Sequence, residues 1–126
     1  AIEYCGQNGI KMGMFTNGTL FDKWDMFETL VNNMTWVRIS VDAGTKETYD
    51  GVRKAKGQQN WDKMVSNLSK LIDTNKRLGN KIDIGVGYVI SPDTYEEIVE
   101  FAEFFKDYDL TCINGLTPIG DNILSV

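Results

Sequence analysis

The chain has 126 residues, of which 42% are hydrophobic and 25% charged, and its net charge is −5. That length can bury a core of its own, but it falls short of the roughly 200 residues of a complete α/β barrel. The acidic balance, with basic residues scattered as at Lys54, Lys56 and Lys76-Arg77, argues against a nucleic-acid or anionic-membrane partner.

No apolar run approaches a membrane span and no signal-peptide pattern opens the sequence, so the expected compartment is the cytoplasm. Histidine is absent, which removes the commonest general base and the commonest metal ligand. Ser-His and Cys-His nucleophilic mechanisms and His-ligated metals are therefore excluded. Cys5 and Cys112 lie far apart, outside any C-x-x-C pair, and read as free thiols. A disulfide between them would be unusual in a reducing compartment.

In chain order, Ala1 to Gly9 has the pattern of a helix end, with Ile2 and Cys5 on one side and Gly9 as its cap. Lys11 to Phe15 reads as a short strand, turned by Thr16-Asn-Gly18. Asp22 is placed to cap a helix whose Met26, Phe27, Leu30, Val31 and Met34 recur at helical spacing. Trp36 to Asp42 is a second strand. Thr45-x-x-Thr48 starts a short helix carrying Tyr49, Val52 and Arg53. Asn60 is a candidate cap for a long amphipathic helix with Trp61, Met64, Val65, Leu68, Leu71 and Ile72 on its apolar stripe. Gly79 ends it.

Ile82 to Ile90 is a third strand, and Ser91-Pro92 opens a helix with Tyr95, Ile98, Val99, Ala102 and Phe105 expected inward. Thr111 to Asn114 is a fourth strand, followed by a loop from Gly115 to Val126. Strands alternating with helices through short connections imply an α/β fold of four parallel strands joined by right-handed crossovers, in one domain over residues 1–126.

Polar residues gather at the carboxyl ends of these strands, the edge where ligands bind in parallel sheets. Ser40 and Asp42, two apart in one strand, are expected to share a face and form a polar ledge. Thr16-Asn17 and Ser91 end the neighbouring strands, although Asn-Gly and Ser-Pro are also ordinary turn formers. Gly85-x-Gly87 lets a backbone or flat ligand come close, but lacks the third glycine of a dinucleotide fingerprint. Arg53 either reaches back toward a carboxylate or is a solvated helix residue. Trp24, Trp61, Phe104 and Tyr108 fall in helical patterns and read as packing residues.

Taken together, Phe15-Thr-Asn-Gly-Thr-Leu20, Val37-Arg-Ile-Ser-Val-Asp-Ala-Gly44, Thr48-Tyr-Asp-Gly-Val-Arg53 and Ile84-Gly-Val-Gly-Tyr-Val-Ile-Ser-Pro92 resemble the radical S-adenosylmethionine (radical SAM) enzyme core. The resemblance covers nearly the whole chain, from the end of helix 2 to strand 6 of that partial (β/α)₆ barrel. It implies an incomplete, TIM-like barrel segment lacking the first two βα units, consistent with an opening in mid-helix. It also implies S-adenosylmethionine as cofactor. Ser40 would bond its amino-acid or ribose portion, with Thr16 and Asn17 alongside and Asp42 orienting the loop. Arg53 would lie near the cofactor carboxylate, and Tyr88 and the Leu116-Thr-Pro-Ile-Gly120 loop would border the adenine.

The family's [4Fe-4S] cluster needs three cysteines in one C-x-x-x-C-x-x-C loop, and this sequence has two cysteines and no such loop. The Gly-Gly-Glu-type segment for the cofactor's amino group is missing too. The chain alone is therefore expected not to catalyse the family reaction. An exposed sheet edge is expected to drive homo-oligomerisation. Two other readings stay open: a non-catalytic binding module, and a small flavodoxin-like domain.

Overall fold

The computed structural model describes residues 1–53, 61–90, 92 and 94–116. The elements run α1 (Ile2–Gln7), β1 (Gly13–Thr16), α2 (Phe27–Asn33), β2 (Trp36–Ser40), α3 (Lys46–Arg53), α4 (Trp61–Arg77), β3 (Asp83–Val89), a 3₁₀ turn (Tyr95–Glu97), α5 (Ile98–Phe105) and β4 (Cys112–Leu116). The strands form one parallel sheet in the order β1-β2-β3-β4, the α/β arrangement expected. No helix among the described residues is long and apolar enough to cross a membrane.

The register sorts the strand residues onto two faces. Val37 of β2 pairs with Met14 and Ile84, and Ile39 pairs with Thr16 and Val86. These residues, with Tyr88, pack against the helices. Val37, Ile39 and Val86 are completely buried there, under Leu30 and Val31 of α2, Met64, Leu68 and Leu71 of α4, and Phe101 and Phe105 of α5. Each such side chain contributes about 1.5–3 kcal/mol by leaving water. The opposite face carries Phe15, Trp36, Arg38, Ser40, Gly85, Gly87, Cys112 and Asn114.

Helix ends follow local chemistry. α4 closes in a Schellman motif: Gly79 has φ +101°, Asn80 N–H donates to the Asn75 carbonyl at 2.7 Å, and Gly79 N–H to that of Lys76 at 3.2 Å. The Thr45 hydroxyl caps α3 by accepting from Thr48 N–H at 3.3 Å.

Four expectations need correction. Asp22 caps nothing; α2 begins at Phe27 with no side-chain cap, and Asp22 accepts from Asn67 instead. β2 ends at Ser40, and Asp42 lies beyond it at φ +59°. α5 begins after the 3₁₀ turn rather than at Pro92, which shifts its phase: Phe105 faces inward as expected and Phe101 joins it, while Tyr95, Val99 and Ala102 are exposed. β4 runs on through Gly115 to Leu116. Ser91 and Asn60 lie outside the described residues, and Trp61 N–H at the start of α4 donates to the Asp50 carboxylate at 2.8 Å.

Candidate functional site

At the carboxyl end of the face that no described helix covers, one row crosses three strands: Ser40 on β2, its partner Gly87 on β3, and Asn114 on β4. The Ser40 hydroxyl and the Asn114 carboxamide are half-buried and have no hydrogen-bond partner among the described residues. Between them a Cβ on Gly87 would meet no described atom nearer than the Ile39 carbonyl at 3.9 Å. Two half-buried polar groups therefore flank a stretch of strand without a side chain; Gly87 itself is buried, and among the described residues no side chain lies within 4 Å of where its Cβ would be.

The loops around this row are fixed by their own side chains. The Asn17 carboxamide oxygen accepts from Thr19 N–H at 3.0 Å and from the Thr19 hydroxyl at 2.7 Å, an Asx turn. The Thr16 hydroxyl accepts from Gly18 N–H at 3.2 Å. From α4, the buried Asn67 donates to the Gly18 carbonyl at 2.8 Å and to Asp22 at 3.1 Å. That bond holds the Asp22 carboxyl below its ordinary value, against the smaller contrary effect of burial.

After β2, the last backbone bond runs from Val41 N–H to the Gly87 carbonyl at 3.0 Å. Val89 N–H, the next donor on β3, then finds the Asp42 carboxylate at 3.0 Å. A side chain thus takes over where the strand ladder stops. Glu97 completes the tie by accepting from Gly44 N–H at 3.2 Å and from the Thr45 hydroxyl at 3.1 Å. A Cβ on Gly44 would sit 2.2 Å from the Glu97 carbonyl, so only glycine permits this approach.

The sequence-derived candidates therefore separate. Ser40 lies on the open face. Thr16 pairs in register with Ile39 and so lies on the helix face, away from Ser40. Asn17 spends its side-chain oxygen on Thr19 in its own loop, and Asp42 spends one on the β3 backbone at Val89. Tyr88 is a core residue, 1% exposed, with its ring 4.8 Å from Phe101 and its hydroxyl donating to the Thr94 carbonyl, so it does not border the open face. Burial pushes its phenol pKa above the usual value. Arg53 ends α3, and its side chain lies outside the described residues.

Residue reading missed Asn114, Asn67 and Glu97. Asn67 had a signal: it falls on the apolar stripe of α4, three residues from Met64 and four from Leu71. Asn114 had one as well, as the polar last residue of the expected fourth strand, whereas Glu97 had none, because only the loop path brings it to this edge.

The Radical SAM superfamily model matches residues 1–105. The chain belongs to the radical SAM superfamily. No curated protein matches it.

The superfamily's two cofactors fit this chain unequally. For S-adenosylmethionine, the row of Ser40, Gly87 and Asn114 offers two polar groups that have no hydrogen-bond partner among the described residues, on either side of a glycine. For a [4Fe-4S] cluster the donor set is wrong. The chain has two cysteines, one on α1 and one on β4, and no group of three or more His, Cys, Asp or Glu among the described residues is arranged to hold a metal.

Proposed function

We propose that this chain contributes S-adenosylmethionine-binding strands to a cytoplasmic radical SAM enzyme and does not itself ligate the cluster. What supports the reading is the Ser40 hydroxyl, which has no hydrogen-bond partner among the described residues, next to the side-chain-free backbone of Gly87, on the sheet face that no described helix covers. Ser40 bonds the ribose or amino-acid part of the cofactor, Gly87 gives it room, and Asn114 offers both a donor and an acceptor from the far side. Thr16, Asn17, Asn67, Asp42 and Glu97 act as positioning residues by holding the surrounding loops. The cofactor's sulfonium is the group the family reduces, and the three thiolates of its electron donor lie beyond what two cysteines can supply.

Calorimetric titration of S-adenosylmethionine tests this. Ser40→Ala removes the hydroxyl, and Gly87→Val fills the floor where a Cβ meets no neighbour closer than 3.9 Å. Each is expected to weaken binding by about tenfold or more, the loss of roughly one good polar contact or of access. Equal heats for the wild type and both variants would reject the reading.

The same proposal includes self-association. β1 and β4 are edge strands, and Phe15 on the open face of β1 is 57% exposed. A dimer or higher oligomer is expected by light scattering; a clean monomer at high concentration would refute it.

A further inference from the structure

Arg38 lies one pleat below Ser40 on the open face, and the sheet is shaped around it. A Cβ on its register partner Gly85 would fall 2.9 Å from Arg38 Cδ and 2.7 Å from Cys112 Sγ. On the other side, a Cβ on Gly13 would fall 1.9 Å from Trp36 Cε2. The two glycines are seats that let an arginine stem and an indole lie flat across neighbouring strands. The guanidinium carbon is 5.3 Å from the Trp36 ring centroid, and Phe15 meets that indole edge-on at 5.1 Å. An arginine that merely reached for water would need no seat.

Its hydrogen bonding is incomplete. A guanidinium has five N–H donors. Both hydrogen bonds of Arg38 among the described residues leave from Nη1, to the Val37 and Asp83 carbonyls, each at a long 3.3 Å. No carboxylate pairs with it among the described residues, although the chain holds 18 acidic side chains. Lys46, Lys63, Lys76, Arg77 and Lys106, by contrast, each have a carboxylate within 4 Å.

We infer that Arg38 is an oxyanion-binding site, taking a carboxylate or phosphate of a ligand whose apolar part rests on Trp36 and Phe15. A planar fork over an aromatic ring, with no carboxylate within 4 Å among the described residues, suits bidentate recognition of an oxyanion. The inference rests on the reading of the open face as the ligand surface. Two residues along a strand span about 6.5 Å, so one ligand can touch Ser40 and Arg38 together. The oxyanion comes either from the cofactor's own carboxylate or from a separate acidic substrate.

The test is NMR on the full 126-residue chain, following the arginine side-chain Nε–H signals, with that of Arg38 assigned from Arg38→Lys. Benzoate is expected to shift the Arg38 signal saturably, and the neutral isostere benzamide is not. Arg38→Met should weaken benzoate binding, read on the indole N–H signals, by about tenfold or more. An unmoved Arg38 signal, an equal response to benzamide, or unchanged affinity in Arg38→Met would overturn the inference.

Two further arms separate the sources. A shift with S-adenosylmethionine but not with 5′-methylthioadenosine, which lacks the amino-acid part, assigns the site to the cofactor. Benzoate binding unchanged by saturating S-adenosylmethionine assigns it to a second ligand. A benzoate response without any effect of Ser40→Ala or Gly87→Val on cofactor binding would reject the proposed cofactor row and leave the oxyanion site standing.

Discussion

Asp42 combines two energetic terms that substitution can separate. Its carboxylate accepts from Val89 N–H at 3.0 Å, and its backbone holds φ +59°. A hydrogen bond to a charged acceptor contributes about 1.5–3 kcal/mol, toward the low end where, as here, the group is half-buried. The left-handed backbone costs an ordinary L-residue about 1–2 kcal/mol, and asparagine, aspartate or glycine much less. Asp42→Asn keeps an acceptor and the conformational tolerance, so it should cost about 1 kcal/mol or less. Asp42→Gly loses the bond but not the backbone fit, at about 2 kcal/mol. Asp42→Ala loses both, at about 3 kcal/mol.

Urea unfolding followed by tryptophan fluorescence measures the series, with an unchanged denaturant slope as the check that only stability has moved. If Gly is as damaging as Ala, the backbone term is absent; if Asn is as damaging as Ala, the acceptor role is wrong. Since the carboxylate is turned to Val89, Asp42→Asn should also leave S-adenosylmethionine affinity within about threefold. A tenfold loss would place Asp42 on the ligand instead.

Two predictions follow from the core. The buried Asn75 carboxamide donates to the Ile82 carbonyl at 2.9 Å and accepts from Ile82 N–H at 3.1 Å, so Asn75→Ala orphans both ends of that peptide position. A polar cavity of ≈ 240 Å³ lined by both residues lets water in, which holds the expected loss near 2 kcal/mol by denaturant unfolding; under about 0.5 kcal/mol would contradict the role. Tyr88 keeps its proton in the fold beyond the pH at which the unfolded chain releases it, near 10. Its stabilising contribution is therefore complete below about pH 10 and lost as pH rises further, by at most about 1.4 kcal/mol per pH unit. Tyr88→Phe should lack that part of the alkaline decline, so the stability gap between wild type and variant narrows above pH 10; a constant gap would refute it.

The α/β class and the order of elements were legible because hydrophobic period and glycine punctuation are local properties. Two kinds of information were not. The face of a strand end depends on its partner: Thr16 and Ser40 both end polar strands, but Thr16 pairs with Ile39, one residue out of phase with Ser40. Helix phase depends on where the helix starts. The 3₁₀ turn at Tyr95–Glu97 delays α5, so Phe101 joins the expected Phe105 in the core, while Tyr95 and Val99, equally periodic in the sequence, stay exposed. Of the candidate site, Ser40 and the glycines were readable from type and position. Asn114 and Arg38 gained their meaning only from the strands beside them.

The sheet order follows the chain, β1-β2-β3-β4, so β2, β3 and β4 each dock on the strand synthesised just before them. Nothing already made has to wait for a distant segment to fill a gap in the middle. Chains leave the ribosome amino end first, at about 5–20 residues per second. Each new βα unit can therefore zip onto a finished template as it emerges, and at every stage the growing sheet has a single fresh edge. Assembly in that direction limits the unpaired strand surface available to a neighbouring nascent chain.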